Sequence, residues 1–293
     1  MKLGITVVYI VKEENEGLLD LHLSQIQRFT GSPYKIYACA NRLLPRLRSK
    51  LELNSRIAIC DCPKTDLRVT EEHAFYQEHL IKKAIGDGCT HVSTLHVDSF
   101  PIKNDWETQL AAKLSREVPF AAVMLKENFD EKPCSICLFF TREFYLEYSP
   151  TLLIPKDEYA SEEYKRYSSH VKHFMETGVG YGFKAFKEGL SWHPILRSNA
   201  VDEHYIIAGI YGDIIFHLSG KRHQSDEYYR EQLRRSRKSN LHDKLSSFLF
   251  PNITKNRVKE QFRAQSQKIY ENARKKLLGN PDAYISYLNG HGK

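Results

Sequence analysis

The chain has 293 residues, a length that suits one large domain plus an appendage or two small domains, and its net charge is +7. Its 41% hydrophobic and 27% charged residues are ordinary for a globular protein. No run of about 18 uncharged apolar residues occurs, so the sequence excludes a membrane-spanning helix. The six cysteines lack disulfide-framework spacing, and the Cys134/Cys137 pair has no second pair to complete a zinc site, so we expect buried thiols in a reducing cytoplasm.

Apolar runs that alternate with helical patterns predict an α/β fold with a mostly parallel sheet flanked by helices. The first run, residues 3–11, is typical of a strand covered on both faces rather than of a signal peptide. Strands are predicted at residues 3–11, 34–40, 56–60, 91–97, 121–125, 135–140 and within 206–216. Helices are predicted at residues 18–29, 43–53, 71–85 and 106–114, and a polar helical pattern with a break near Pro251 runs from residue 226.

The strand at residues 91–97 carries His96 and Asp98 to its carboxyl end, ahead of Pro101. In open α/β sheets, ligands bind at the carboxyl ends of strands. A carboxylate there suits a hard divalent cation that bridges phosphate oxygens. The alternative is that Asp98 only caps a turn before the proline.

The region around this strand resembles the Asp-X-Asp region of GT-A glycosyltransferases, especially the family-2-like group. The shared order is an early helical histidine (His73), a strand ending in the motif, a proline, and the acidic-aromatic pair Asp105-Trp106. The resemblance spans about residues 3–223 and implies a catalytic domain at residues 1–225 that transfers a sugar from a nucleotide-sugar. The chain departs from the family at His96, where the first Asp of the motif is expected. An imidazole there can bind Mn²⁺ or accept a hydrogen bond from ribose.

A second segment, residues 211–223, places His217 at a strand end. In the resembled enzymes a late histidine often completes the metal site, so the resemblance implies that Mn²⁺ or Mg²⁺ is held by Asp98, His217 and His96. It also implies diphosphate contacts from the basic cluster that follows, Lys221, Arg222 and His223. The alternative for His217 is a core histidine with satisfied hydrogen bonds.

A third segment, residues 173–189, carries Glu176 directly before Thr177 and a run of spaced glycines. The resembled enzymes often have an acid here, and an inverting transferase needs a carboxylate to remove the proton of the acceptor hydroxyl, so Glu176 is the candidate base. A helix-terminal glutamate ahead of a glycine turn is the alternative. No strand precedes the glycines, so they favour close backbone approach over a dinucleotide fingerprint.

By resemblance, the ends of the first three strands contact the base and ribose of the donor, for which a UDP-sugar is expected. These contacts fall on Tyr9, Ile10, Val11, Asn41 and Asp61, with His73 and His96 from later elements. Simple turn chemistry is the alternative for several of them. The expected acceptor is a glycan or a lipid-linked sugar.

The basic residues are concentrated in the last part of the chain. Residues 221–293 contain 17 Lys+Arg and 7 Asp+Glu, whereas the preceding 220 residues have a net charge of −3. We therefore predict a basic helical extension at residues 226–293 that binds an anionic partner, such as a membrane surface or a polyanionic acceptor. The alternatives are a solvated helix packing on the catalytic domain and an oligomer contact. The expected location is cytoplasmic, with peripheral contact at the inner membrane face.

Two other functions are weighed against glycosyl transfer. Nucleotidyl transfer uses similar sheets, but such enzymes usually have a glycine-rich basic loop after the first strand, and the Lys12-Glu13-Glu14-Asn15 segment found there argues against it. Nucleic-acid binding is supported only by the basic tail, and the acidic body of the chain offers no basic groove.

Overall fold

The computed structural model describes residues 1–11, 13–128, 130–170, 177–219 and 251–291. Its strands are β1 (Leu3–Val8), β2 (Tyr34–Cys39), β3 (Ile57–Ile59), β4 (His91–Leu95), β5 (Ser99–Pro101), β6 (Phe120–Met124), β7 (Pro133–Thr141), β8 (His193–Ile195), β9 (Gly209–Tyr211) and β10 (Ile215–His217). Its helices are α1 (Glu16–Phe29), α2 (Pro45–Glu52), α3 (Val69–Gly86), α4 (Trp106–Ala111), α5 (Arg142–Tyr148), α6 (Glu162–His170), α7 (Val179–Lys187), α8 (Pro251–Gly279) and α9 (Pro281–Leu288).

Seven strands form the main sheet in the order β3-β2-β1-β4-β7-β6-β8. Strands β1 to β4 are parallel, as are β6 and β8, whereas β7 runs antiparallel to both β4 and β6. The predicted mostly parallel α/β sheet is therefore confirmed, with β7 as its exception. Strand β7 is buried over nearly its whole length, and an uninterrupted apolar run carries no signal of strand direction.

The sheet is covered by helices on both faces, which explains why every residue of β1 is buried. On one face, α1, α2 and α4 pack through side chains such as Leu19, Leu47 and Trp106. On the other face, α3, α5 and α7 pack through side chains such as Leu80 and Phe144. The resulting α/β/α layering buries the strands and leaves their carboxyl ends as the edge at which ligands can reach the backbone.

A second, three-stranded sheet has the order β5-β10-β9. Strands β5 and β10 are antiparallel, and their register pairs Ser99 with His217 and Pro101 with Ile215. Pro101 is tolerated because β5 lies at the edge of the sheet, where the missing N–H removes no ladder hydrogen bond. Three residues that include a proline carry no strand periodicity, so the sequence did not predict β5.

The chain divides into two compact units, and the second contains Asn199–Gly209 together with α8 and α9. Within this unit, the backbone N–H groups of Ala200 and Val201 donate to the carbonyl of Leu288 at 2.9 and 3.0 Å. The predicted C-terminal helices are therefore present. The predicted boundary at residue 225 lies outside the described residues and stays a prediction.

All six cysteines are buried, as predicted for Cys134 and Cys137. None of the helices in the described part of the chain has both the length and the apolarity needed to cross a membrane.

Candidate metal and nucleotide site

A tight turn at the carboxyl end of β4 carries His96 and Asp98. The N–H of Ser99 donates to the carbonyl of His96 at 3.0 Å, and the N–H of His96 donates to Ser99 Oγ at 2.8 Å. Ser99 Oγ in turn donates to the carbonyl of Ile136 on β7 at 2.8 Å. These hydrogen bonds of the Ser99 backbone and hydroxyl fix the turn to the sheet, so His96 and Asp98 are held at its edge.

His217 reaches the same place from the second sheet. It pairs with Ser99 in the β5–β10 register, and its Nε2 lies 3.6 Å from Asp98 Oδ1. One ligand atom from each of His96, Asp98 and His217 lies within 4.8 Å of the others. The structure thus brings together all three residues predicted to bind a metal, and that they bind one stays a prediction.

The donor set of this cluster fits a divalent ion. At bond lengths of about 2.1 Å, two ligands of one ion lie roughly 3 Å apart at a right angle and at most about 4.2 Å apart, so ligand atoms within 4.8 Å of one another reach one ion after a shift of their side chains. The His217 side chain is 8% exposed and that of Asp98 is 20% exposed, so the cluster is largely shielded from water. Two imidazoles and one carboxylate would leave positions for the oxygens of a diphosphate.

His96 is surrounded by polar partners that set its orientation. Its Nε2 lies 3.2 Å from Ser135 Oγ, which makes a short hydrogen bond to Thr177 Oγ1. His73 packs edge-on against the His96 ring with centroids 5.2 Å apart. Burial lowers the pKa of His73 to about 4, so this neighbour is neutral at physiological pH. Partners of this kind fix the tautomer and the direction of a ligating histidine.

A bulge in β7 turns Ser135 toward His96. The β6–β7 register shifts between Ala122 and Val123, opposite the segment of β7 that includes Ser135. The N–H of Ser135 donates to the Thr177 carbonyl at 2.8 Å, and its carbonyl accepts from Thr94 Oγ1 at 2.7 Å. Bulges beside functional sites commonly redirect side chains in this way.

Sequence reasoning missed Ser135 and Thr177. The contacts join segments about 40 residues apart across the antiparallel strand, and only the serine within the otherwise apolar run SICLFF could have signalled them. Glu176, the predicted base, lies outside the described residues, although its neighbour Thr177 is in the site. Also outside the described residues are Lys221, Arg222 and His223.

The ends of β1, β2 and β3 form the edge predicted to bind the nucleotide. The side chains of Tyr9 and Val11 are buried in the core, whereas Ile10 is 50% exposed. Burial also raises the pKa of Tyr9 well above its usual range. Asn41 Nδ2 donates to the Cys62 carbonyl at 3.1 Å, and Asp61 is exposed. A ligand at this edge would therefore meet Ile10, Asp61 and backbone groups rather than the Tyr9 and Val11 side chains.

Arg42 adds a positive charge to this edge; the sequence places it at the end of the second strand, among the positions expected to contact the nucleotide, but does not reveal its ion pair with Glu72. Its Nη2 lies 2.6 Å from Glu72 Oε1, with the Arg42 side chain 50% exposed and that of Glu72 8% exposed. Glu72 lies in the first turn of α3, one residue before His73. The buried carboxylate therefore orients a half-exposed guanidinium where β2 ends.

No protein-family model matches this chain, and no curated protein matches it. Among solved structures, the chain is similar to the galactosyltransferase LgtC in complex with donor and acceptor sugar analogues, at 9% identity and a TM-score of 0.36 over 68% of this chain and 73% of that chain. It is similar to mouse xyloside xylosyltransferase 1 in its apo form, at 8% identity and a TM-score of 0.39 over 67% and 85% of the two chains. It is also similar to a mutant Drosophila galactosyltransferase 7 in complex with manganese, UDP-Gal and xylobiose, at 12% identity and a TM-score of 0.37 over 77% and 75%. These three proteins are glycosyltransferases, the class named by the resemblance in sequence, but at such low scores they carry no conclusion about the reaction of this chain.

Proposed function

We propose that this chain is a metal-dependent glycosyltransferase that moves a sugar from a nucleotide-sugar, a UDP-sugar above all, to a glycan or lipid-linked acceptor. The observation that carries the proposal is the convergence of His96, Asp98 and His217 within 4.8 Å at the carboxyl edge of the sheet. Two of these residues come from one turn and the third from a different sheet. A purely structural turn would not need a buried histidine delivered beside its carboxylate.

In this proposal the cluster holds Mn²⁺ or Mg²⁺, which when bound neutralises the charge of the departing diphosphate. Asp98 supplies the one formal negative charge among the three ligands. Ser135, fixed by Thr177, holds the ring of His96 in place. Lys221, Arg222 and His223 are proposed to contact the diphosphate from the segment after His217.

The donor nucleoside is proposed to lie along the ends of β1 to β3. Ile10 and Asp61 are exposed there, and Arg42 is oriented by the buried carboxylate of Glu72. An aspartate and backbone groups can hydrogen-bond a base and a ribose, and a guanidinium suits an anionic oxygen. In this proposal the sugar end of the donor points toward the cluster at the end of β4.

Glu176 is proposed as the base of an inverting reaction. The support is indirect: Thr177, the next residue, hydrogen-bonds Ser135 beside His96. The role of Glu176 would be to take the proton from the acceptor hydroxyl as the new bond forms.

The test is donor binding with and without Mn²⁺. We expect one UDP-sugar of a panel to raise the melting temperature of the wild type only when Mn²⁺ is present, because the ion and the diphosphate bind as one unit. Asp98→Ala should abolish this shift and sugar transfer while leaving the melting temperature of the unliganded protein nearly unchanged. Asp20→Ala, which removes an exposed carboxylate on α1, is the matched control and should behave as the wild type. A full Mn²⁺-dependent shift in Asp98→Ala would remove the cluster from the proposed function.

A further inference from the structure

His22 is a fully buried histidine that the proposed reaction does not use. It lies on α1 with 0% of its surface exposed, and its Nδ1 is 2.9 Å from the carbonyl oxygen of Ser99. Because a carbonyl oxygen can only accept, Nδ1 carries the proton and donates it. Burial lowers the pKa of His22 to about 4, so the ring is neutral at physiological pH and the Nδ1–H tautomer is selected.

Ser99, the residue that His22 holds, connects all three members of the cluster. Its N–H closes the turn onto His96, its Oγ accepts from the N–H of His96, and its place in β5 is opposite His217. Asp98 is the residue before it. A displacement of Ser99 would therefore change the spacing of His96, Asp98 and His217 together.

The other side of the His22 ring faces the end of β1. The ring packs edge-on against Tyr9 with centroids 5.7 Å apart, and the N–H of Tyr9 donates to the Cys39 carbonyl at 2.9 Å. Within the described part of the chain, His22 Nε2 is buried without a hydrogen-bond partner. The hydrogen bond to Ser99 is thus the specific contact of a ring that is otherwise held by packing between the edge of β1 and the turn.

We propose that His22 is a positioning residue for the metal cluster, which holds the Ser99 carbonyl and thereby the spacing of His96, Asp98 and His217. The inference rests on the proposed function, since it assigns a role toward the ion that the cluster would bind. It adds a residue from α1 to a site otherwise built from β4, β7 and β10. This positioning role requires one hydrogen-bond donor at the position of His22 Nδ1.

Replacing His22 by asparagine or by glutamine distinguishes this hydrogen-bonding role from simple packing. In His22→Asn the amide nitrogen can occupy the place of Nδ1, whereas in His22→Gln it lies nearer that of Nε2. The measurement is the Mn²⁺ dissociation constant, from electron paramagnetic resonance of unbound Mn²⁺ without nucleotide. We expect His22→Asn to stay within about threefold of the wild type, and His22→Gln and His22→Leu to bind about 10-fold more weakly or worse, the usual effect of losing an outer-shell partner.

Stability is measured in parallel, at a temperature where circular dichroism shows every variant folded. Leu19→Ala, which removes a fully buried side chain one turn earlier on α1, is the matched control. It should lower the melting temperature and leave the Mn²⁺ dissociation constant unchanged. His22 variants with a lower melting temperature but wild-type Mn²⁺ affinity would overturn the inference. A His22→Asn variant that binds Mn²⁺ as weakly as His22→Leu would also overturn it. A wild type that binds no Mn²⁺ would instead remove the metal site of the proposed function, and the inference with it.

Discussion

Among single residues, His96 has the largest consequence for the choice of ion. It stands where the resembled enzymes carry the first acidic residue of their motif, and it gives the cluster two imidazoles and one carboxylate. Imidazole nitrogen suits transition metals such as Fe²⁺ and Zn²⁺, whereas carboxylate and water oxygens suit Mg²⁺. The side chain at position 96 should therefore set the preference between these classes.

His96→Asp should move the metal preference toward Mg²⁺. We expect the ratio of Co²⁺ to Mg²⁺ affinity, measured by calorimetry, to fall by about tenfold or more because a nitrogen ligand is replaced by oxygen. His91→Asp, at the opposite end of β4, is the control and should leave the ratio unchanged. An unaltered ratio in His96→Asp would show that His96 is not a ligand.

Lys132, just before β7, is a second unusual residue. Its side chain is almost completely buried, with Nζ 3.0 Å from the centre of the Tyr167 ring. Burial lowers the pKa of Lys132 to about 7, against a usual value of about 10.4. The unfolded chain therefore binds this proton more tightly than the folded chain, so the free energy of unfolding should increase as the pH rises from about 7 toward 10.

Lys132→Met should remove this pH dependence, because it keeps an apolar chain on Tyr167 and removes the titrating amine. Below pH 7 the variant should be more stable than the wild type. Between pH 7 and 9 the wild type should gain about 1–2 kcal/mol relative to the variant. Urea unfolding at several pH values measures the difference, with the exposed Lys103→Met as the control. Parallel pH profiles for the wild type and Lys132→Met would contradict the lowered pKa.

At the scale of elements, the contact between α7 and the segments before it depends on glycine. Gly178 has a φ of +113°, and a Cβ there would lie 2.7 Å from the Pro133 carbonyl oxygen. A Cβ on Gly180 would lie 2.1 Å from the carbonyl oxygen of Thr151. The spaced glycines predicted to permit close backbone approach do so, and they bring the start of α7 against β7, next to Ser135.

Gly180→Ala should be strongly destabilising, by about 2–3 kcal/mol or more, because the new methyl group meets backbone rather than a movable side chain. Denaturant unfolding measures this change. Gly86→Ala near the end of α3 is the matched control, since a Cβ there meets nothing within 4 Å. It should be neutral or stabilise the protein by up to about 1 kcal/mol. Equal stability of the two variants would mean that α7 can move away from Thr151 at little cost.

At the scale of the whole molecule, the C-terminal helices have a structural role within the second compact unit. Glu203 accepts a hydrogen bond from the Tyr284 hydroxyl at 2.9 Å and pairs with Lys276. His204 Nε2 lies 3.0 Å from Ser266 Oγ on α8. These contacts favour packing over a tail lying loosely on lipid. Membrane association of the basic segment stays a prediction.

Ending the chain at residue 250 should therefore destabilise residues 199–209, which would lose these partners and the Leu288 carbonyl. We expect a lower melting temperature and rapid cleavage within 199–209 in limited proteolysis followed by mass spectrometry. Tyr284→Phe, which removes one hydroxyl from Glu203, is the graded control and should show a small effect in the same direction. A truncated chain as resistant to cleavage as the full chain would show that α8 and α9 are dispensable.

The sequence by itself determined the α/β order, the parallel strands β1 to β4, and the three residues His96, Asp98 and His217 that the structure brings together. These features are local, since a buried strand and the polar residue at its end can be recognised within about ten positions. Only the tertiary structure decided the reversed direction of β7, the bulge that turns Ser135 toward His96, and the hydrogen bond from His22 to Ser99. Each of these depends on pairing or packing between segments far apart in the chain. The apolar pattern of a buried strand does not indicate whether the strand is parallel or antiparallel, and a single histidine in a helix does not indicate its hydrogen-bond partner.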